Sequence, residues 1–128
     1  MRGPDHKQSS LFSYTNIEDR IAVDHPLRRV KVMADMVLHS MSPTFDSLYA
    51  EGGRPSIAPE RLLRALLLQC LFSIRSERAL IEHLDFNMMF RWFVGLSQDE
   101  PVWDHSSFSA NRDRLFKESV MREFFGGV

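Results

Sequence analysis

Pro59-Glu60-Arg61-Leu62-Leu63-Arg64-Ala65-Leu66-Leu67-Leu68-Gln69-Cys70-Leu71-Phe72-Ser73-Ile74 is the stretch whose reading decides the fold class. Proline and an acid stand in its first turn, where a missing N–H and a negative charge both suit the positive end of a helix dipole. Leu62, Leu63, Leu66, Leu67, Cys70, Leu71 and Ile74 recur at three-four spacing, and Leu68 and Phe72 extend the apolar stripe almost all round. A helix that apolar belongs at the centre of a domain. Cys70 reads as a small hydrophobe within it, and one cysteine cannot form an intrachain disulfide.

Helical patterning continues on both sides of this segment. Upstream, Pro26 opens a helix with Leu27, Val30, Ala34, Val37 and Met41 on one face, and Ser42-Pro43 is expected to stop it, since proline disfavours helical geometry in the residue before it. A short helical turn carrying Phe45, Leu48 and Tyr49 follows, ended by Gly52-Gly53. Downstream, Ser76 caps a helix burying Ala79, Leu80, Ile81 and Leu84, and Asp85-Phe86-Asn87 breaks it. Met88 to Val94 forms another, closed by Gly95. After a loop from Leu96 to His105, Ser106 or Ser107 caps a helix through Phe108, Asn111, Leu115 and Phe116, and a final short one holds Val120, Phe124 and Phe125. No segment alternates apolar and polar residues long enough to argue for a sheet. The expected fold is all-α: a helical bundle with a helix-turn-helix-like unit. Residues 1–24 form an arm whose Leu11, Phe12 and Tyr14 dock on the body, residues 25–125 the helical domain, and residues 126–128 a tail.

The chain has 128 residues, 44% of them hydrophobic, enough for one core. Its net charge of -1 means that bulk electrostatics neither recruits nor excludes a polyanion, so any nucleic-acid site is local. Thirteen of the 16 basic residues are arginine, whose planar fork suits phosphates and guanine edges. The polar start Met1-Arg2-Gly3-Pro4-Asp5-His6-Lys7-Gln8 lacks a signal-peptide pattern, and no stretch has the length of a membrane span. A cytoplasmic protein with no membrane partner is expected.

Two constellations fit DNA readout. The turn Ser73-Ile74-Arg75-Ser76, with Arg78 just beyond it, joins two helices as helix-turn-helix corners do; a plain helical hairpin has the same spacing. The helix start Ser106-Ser107-Phe108-Ser109-Ala110-Asn111-Arg112-Asp113-Arg114 offers hydroxyls, an amide and guanidiniums, the groups that pair with base edges and phosphates; a capped helix with solvated ion pairs fits as well. Phe86, Phe90, Trp92, Phe93 and Trp103 count as core. Catalytic patterns are missing: His6, His25, His39, His83 and His105 are scattered, Gly52-Gly53-Arg54-Pro55 lacks the lysine of a phosphate loop, and Asp35, Asp46, Asp85, Asp104 and Asp113 sit at helix ends or in loops. No cofactor or metal is expected.

The strings Gly53-Arg54-Pro55-Ser56-Ile57-Ala58-Pro59-Glu60, Ile74-Arg75-Ser76-Glu77-Arg78, Phe90-Arg91-Trp92-Phe93-Val94-Gly95-Leu96 and Val102-Trp103-Asp104-His105-Ser106-Ser107-Phe108-Ser109, in that order, resemble the N-terminal domain of insertion-sequence transposases of the InsH type, the IS-five group. The likeness extends from His25-Pro26-Leu27-Arg28 to Asn111-Arg112-Asp113-Arg114-Leu115. It implies a domain that binds the terminal inverted repeats of the element, followed in the family by an Asp-Asp-Glu catalytic domain; none of that triad maps onto these residues, so strand transfer is not expected of them. The implied DNA-binding residues are Ser106, Ser107, Ser109, Asn111, Arg112 and Arg114, with Arg75, Arg78 and Arg91 as phosphate contacts. The implied partners are double-stranded DNA and a second copy or the full-length transposase. The alternatives are a helical interaction module that pairs through Phe90 to Leu96, or an inert remnant leaving Val120, Phe124 and Phe125 uncovered.

Overall fold

The computed structural model describes residues 2–5, 14, 16–49, 57–117 and 119–128. Their helices are α1 (Ile17–Arg20), α2 (Pro26–Ser40), α3 (Ser42–Tyr49), α4 (Pro59–Leu71), α5 (Glu77–Phe86), α6 (Met88–Val94), α7 (His105–Lys117) and α8 (Val120–Gly127), and no strand occurs among the described residues. The fold is all-α and compact. Helix α4 lies at its centre, packed against α5, α6, α7 and α8. Leu62, Leu63, Leu66, Leu67 and Leu68 are buried along it, a contribution on the order of 10 kcal/mol from apolar burial. Phe93, Phe108, Leu115 and Phe124 close the core from α6, α7 and α8.

The apolar run of α4 outlasts its burial. Cys70, Leu71 and Phe72 are exposed at its end: Cys70 lines an open cleft, and Phe72 covers only one side of its ring, against Phe90 at 5.0 Å. The chain then reverses through Ser73, held at φ 53° in the left-handed region, with the Ile74 amide donating to Gln69 O at 3.0 Å. Ser76 is the N-cap of α5, its hydroxyl accepting from the Ala79 amide at 3.1 Å.

Helix α2 ends at Ser40, next to the expected stop at Ser42-Pro43; Met41 alone separates it from α3, and Pro43 is accommodated in the first turn of α3, where its missing N–H costs nothing. Leu38 joins Leu27, Ala34 and Met41 in the core. Tyr14 is fully exposed rather than docked; Leu11, Phe12 and the Gly52-Gly53 pair lie outside the described residues. The following short helix α1 is tied to the body through Glu18, which accepts hydrogen bonds from Arg28 Nη1 and Trp92 Nε1. Those two donors, Arg28 first, hold its carboxyl below the usual glutamate range.

Helix α7 is capped by Asp104, not by Ser106 or Ser107. Its carboxylate accepts from the Ser107 amide at 3.2 Å and the Ser107 hydroxyl at 2.7 Å, and these bonds lower its pKa. At the other end of the chain, Val120 and Phe124 are buried in the domain's own core, so they are not an uncovered patch. Phe86, counted with the core aromatics, is exposed, and Trp92 and Trp103 are half-buried.

Candidate nucleic-acid interface

The bundle separates its arginines by what they touch. Arg28 is bound to Glu18, Arg61 to Glu100 at 2.8 Å, and Arg64 to Asp35 at 2.9 Å, with Lys31 on the same Asp35. These cations are neutralised within the chain. Arg75 and Arg78, like Arg20, Arg29 and Arg122, are exposed and make no hydrogen bond or ion pair among the described residues. The first two flank the turn into α5, where the first-turn amides and the positive end of the helix dipole face the same solvent.

Arg75 and Arg78 line one side of an open cleft of about 550 Å³, whose other side is α7. His105, Ser109, Arg112 and Phe116 fall at three-four spacing on that face of α7. His105, Arg112 and Phe116 line the cleft, and the floor includes Leu66, Met121 and Phe125. The wall between the two sides is Glu77, a residue that sequence reasoning passed over. A lone glutamate in a first helical turn reads as a dipole partner; only the shared face of His105, Ser109 and Arg112 signals that an acid must stand opposite. Glu77 Oε1 accepts from Ser109 Oγ at 2.9 Å, Oε2 accepts from Arg112 Nη1, and His105 Nε2 lies 3.8 Å from Oε1.

The sequence-predicted contacts therefore divide. Arg75, Arg78 and Arg112 come together around the cleft, and Ser106 is exposed on the first turn of α7. Ser107 is committed to Asp104 and Ser109 to Glu77. Asn111 is buried, donating to Ser107 O at 2.7 Å. Arg114 projects elsewhere, since two residues on a helix are separated by about 200°. Its guanidinium stacks over the Tyr49 ring at 4.3 Å. Burial raises the Tyr49 phenol pKa, against the lowering effect of that cation.

Arg91 is not on the surface. It is 5% exposed, and its guanidinium donates to Leu84 O at 2.8 Å, Ser97 O at 2.6 Å and Glu100 O, stitching the end of α5 to the loop that follows Gly95. Phe90, Phe93, Val94 and Leu96 are likewise core, so the surface expected to pair with another copy is turned inward.

Among the described residues, no group of three or more His, Cys, Asp or Glu side chains is placed to hold a metal ion, and no helix is long and apolar enough to cross a membrane. A family model described as "Transposase domain (DUF772)" matches residues 15–114. The chain belongs to this transposase-domain family. The match runs from just before α1 into α7 and so takes in both walls of the cleft in the transposase domain. Comparison with curated proteins and with solved structures gives no match.

Proposed function

We propose that this transposase domain acts in DNA transposition by gripping duplex DNA at the terminal inverted repeats of an insertion sequence of the InsH type, the IS-five group, as the N-terminal recognition domain of its transposase. Residues 25–125 form the DNA-binding unit. Arg75 and Arg78 contact phosphates, and the first turns of α7, through Ser106 and Arg112, meet the groove; α4 and α5 supply the helix-turn-helix-like corner. The observation that carries this reading is the gathering of Arg75, Arg78 and Arg112 around one cleft, with Arg75 and Arg78 exposed and without an acidic partner among the described residues; Arg20, Arg29 and Arg122 are exposed and unpaired too, so clustering rather than exposure singles the cleft out. Because a net charge of -1 gives no general attraction to DNA, a local cluster of unpaired cations is where a polyanion is held. Strand-transfer chemistry is not assigned to these residues: Asp35 is committed to Lys31 and Arg64, Asp104 to the α7 cap, and Asp113 to Arg112.

A mobility-shift titration tests this, using a duplex of the inverted repeat flanking the gene and a scrambled duplex of equal composition. Specific binding is expected, with a salt slope reduced by about two units in Arg75→Ala/Arg78→Ala, roughly one for each phosphate contact removed. Equal affinity for both duplexes, or an unchanged slope in the double variant, contradicts it.

A further inference from the structure

We infer that Glu77 is a positioning residue of the DNA interface: it fixes Arg112 in the orientation that discriminates element ends from other DNA. This inference rests on the DNA-binding reading above and assigns a role to an acid that the reading leaves idle.

A carboxylate in a cleft built for a polyanion is unfavourable on electrostatic grounds alone. Yet the Glu77 side chain is only 11% exposed and stands between the two basic walls. Its effect falls on Arg112. Glu77 holds Nη1 from one side, Asp113 Oδ1 accepts from Nη2 at 3.0 Å on another, and the Phe116 ring lies 5.8 Å from the guanidinium carbon. The Nε atom is buried as well. Ser109, one helical turn earlier, steadies the carboxylate at 2.9 Å. The guanidinium has five N–H donors in a rigid plane; with Nε–H buried and one donor on each acid, the second N–H of Nη1 and of Nη2 remain for an incoming acceptor. A surface arginine must lose its rotamer freedom on docking; this one has already lost it. Displacing Arg112 from Glu77 would strand a buried carboxylate, so the pair stays together when DNA arrives. With Glu77 and Asp113 both on it, Arg112 brings no net positive charge to the cleft, and its contribution is therefore orientation.

The sign of one substitution separates orientation from charge. Glu77→Gln makes the cleft more positive, so electrostatics alone predicts tighter binding to every duplex. Positioning predicts that the ratio of inverted-repeat to scrambled affinity falls about tenfold, the scale of one good side-chain contact with a base. Glu82→Gln, the same charge change on the exposed side of α5, leaves that ratio unaltered. Glu77→Asp, which keeps the charge and shortens the reach, is expected to lose discrimination as Glu77→Gln does. In the free protein, the Arg112 Nε–H resonance is expected to be protected from exchange in the wild type and to lose that protection in Glu77→Gln.

Wild-type protein that binds the inverted repeat specifically, with folded Glu77→Gln and Glu77→Asp proteins discriminating as well as it does, overturns this inference and leaves the DNA reading standing. Unfolding of both variants also overturns it, making Glu77 a requirement of the fold alone. Absence of specific binding by the wild type removes the DNA reading and this inference with it.

Discussion

Replacing Arg91 with methionine or alanine is expected to cost the domain stability rather than a DNA contact. The guanidinium donates to three carbonyls at the end of α5 and in the loop through Ser97 and Glu100, with a fourth, Asp85 O, at 3.5 Å. A hydrogen bond from a charged donor contributes about 1.5–3 kcal/mol, but burying the charge offsets much of that sum. What the substitution leaves behind decides the magnitude: Leu84 O lies too near the end of α5 to find an amide within it, and the loop carbonyls face the protein. The net loss is about 3–5 kcal/mol, a large share of the roughly 5–15 kcal/mol that holds a domain folded. At about 4 °C per kcal/mol for a domain of this size, Tm falls by about 12–20 °C in a thermal melt followed by far-UV circular dichroism. A fall of under about 3 °C in Arg91→Met, or a folded variant whose DNA salt slope drops by one unit, would refute the internal role.

Three further outcomes follow from the same geometry. Hydrogen bonds from Arg61, then from the Ser97 amide, hold the Glu100 carboxyl down at about 2. A depressed carboxylate adds stability above its unfolded value and loses it as pH falls, so wild-type Tm should drop between about pH 4.5 and pH 2 more steeply than that of Glu100→Gln. Parallel curves would show that the Arg61 pair does not act on folding. Asn87 ends α5 and caps α6, accepting from the Met89 amide at 3.0 Å and the Phe90 amide at 3.2 Å. Asn87→Ala should cost about 1 kcal/mol in urea denaturation with the m-value unchanged, and a neutral result would contradict the cap. Gly95 has φ 99°, and a β-carbon there meets nothing nearer than 4.0 Å. Gly95→Ala is therefore opposed by backbone strain alone, about 1 kcal/mol, and a stabilised variant would rule that out.

Local pattern made most of the helices legible. Pro59 with Glu60, Ser76, and Gly95 mark ends whose signals lie within a few residues, and all three act as those signals suggest. Errors came where a distant partner decided. Nothing near Arg91 in sequence announces that the chain after Gly95 folds back over it, so its burial was invisible. Cys70, Leu71 and Phe72 continue an apolar pattern yet stay exposed, and periodicity cannot see how much neighbours cover. Ser106 and Ser107 were expected as caps by residue type, yet Asp104 stands three residues before an amide and a hydroxyl it can take together. The α7 face was half legible: its polar groups were evident, whereas their division among Glu77, Tyr49 and the interior depends on the packing of α3 and α5 against it.

Amide chemical-shift mapping, with the inverted-repeat duplex titrated into isotope-labelled protein, tests the central claim most directly. The account predicts perturbations concentrated at residues 73–78 and 104–112, with little change around Tyr49 and Arg114 on the opposite side of α7. Shifts centred on Tyr49 and Arg114, with the turn between α4 and α5 silent, would contradict it.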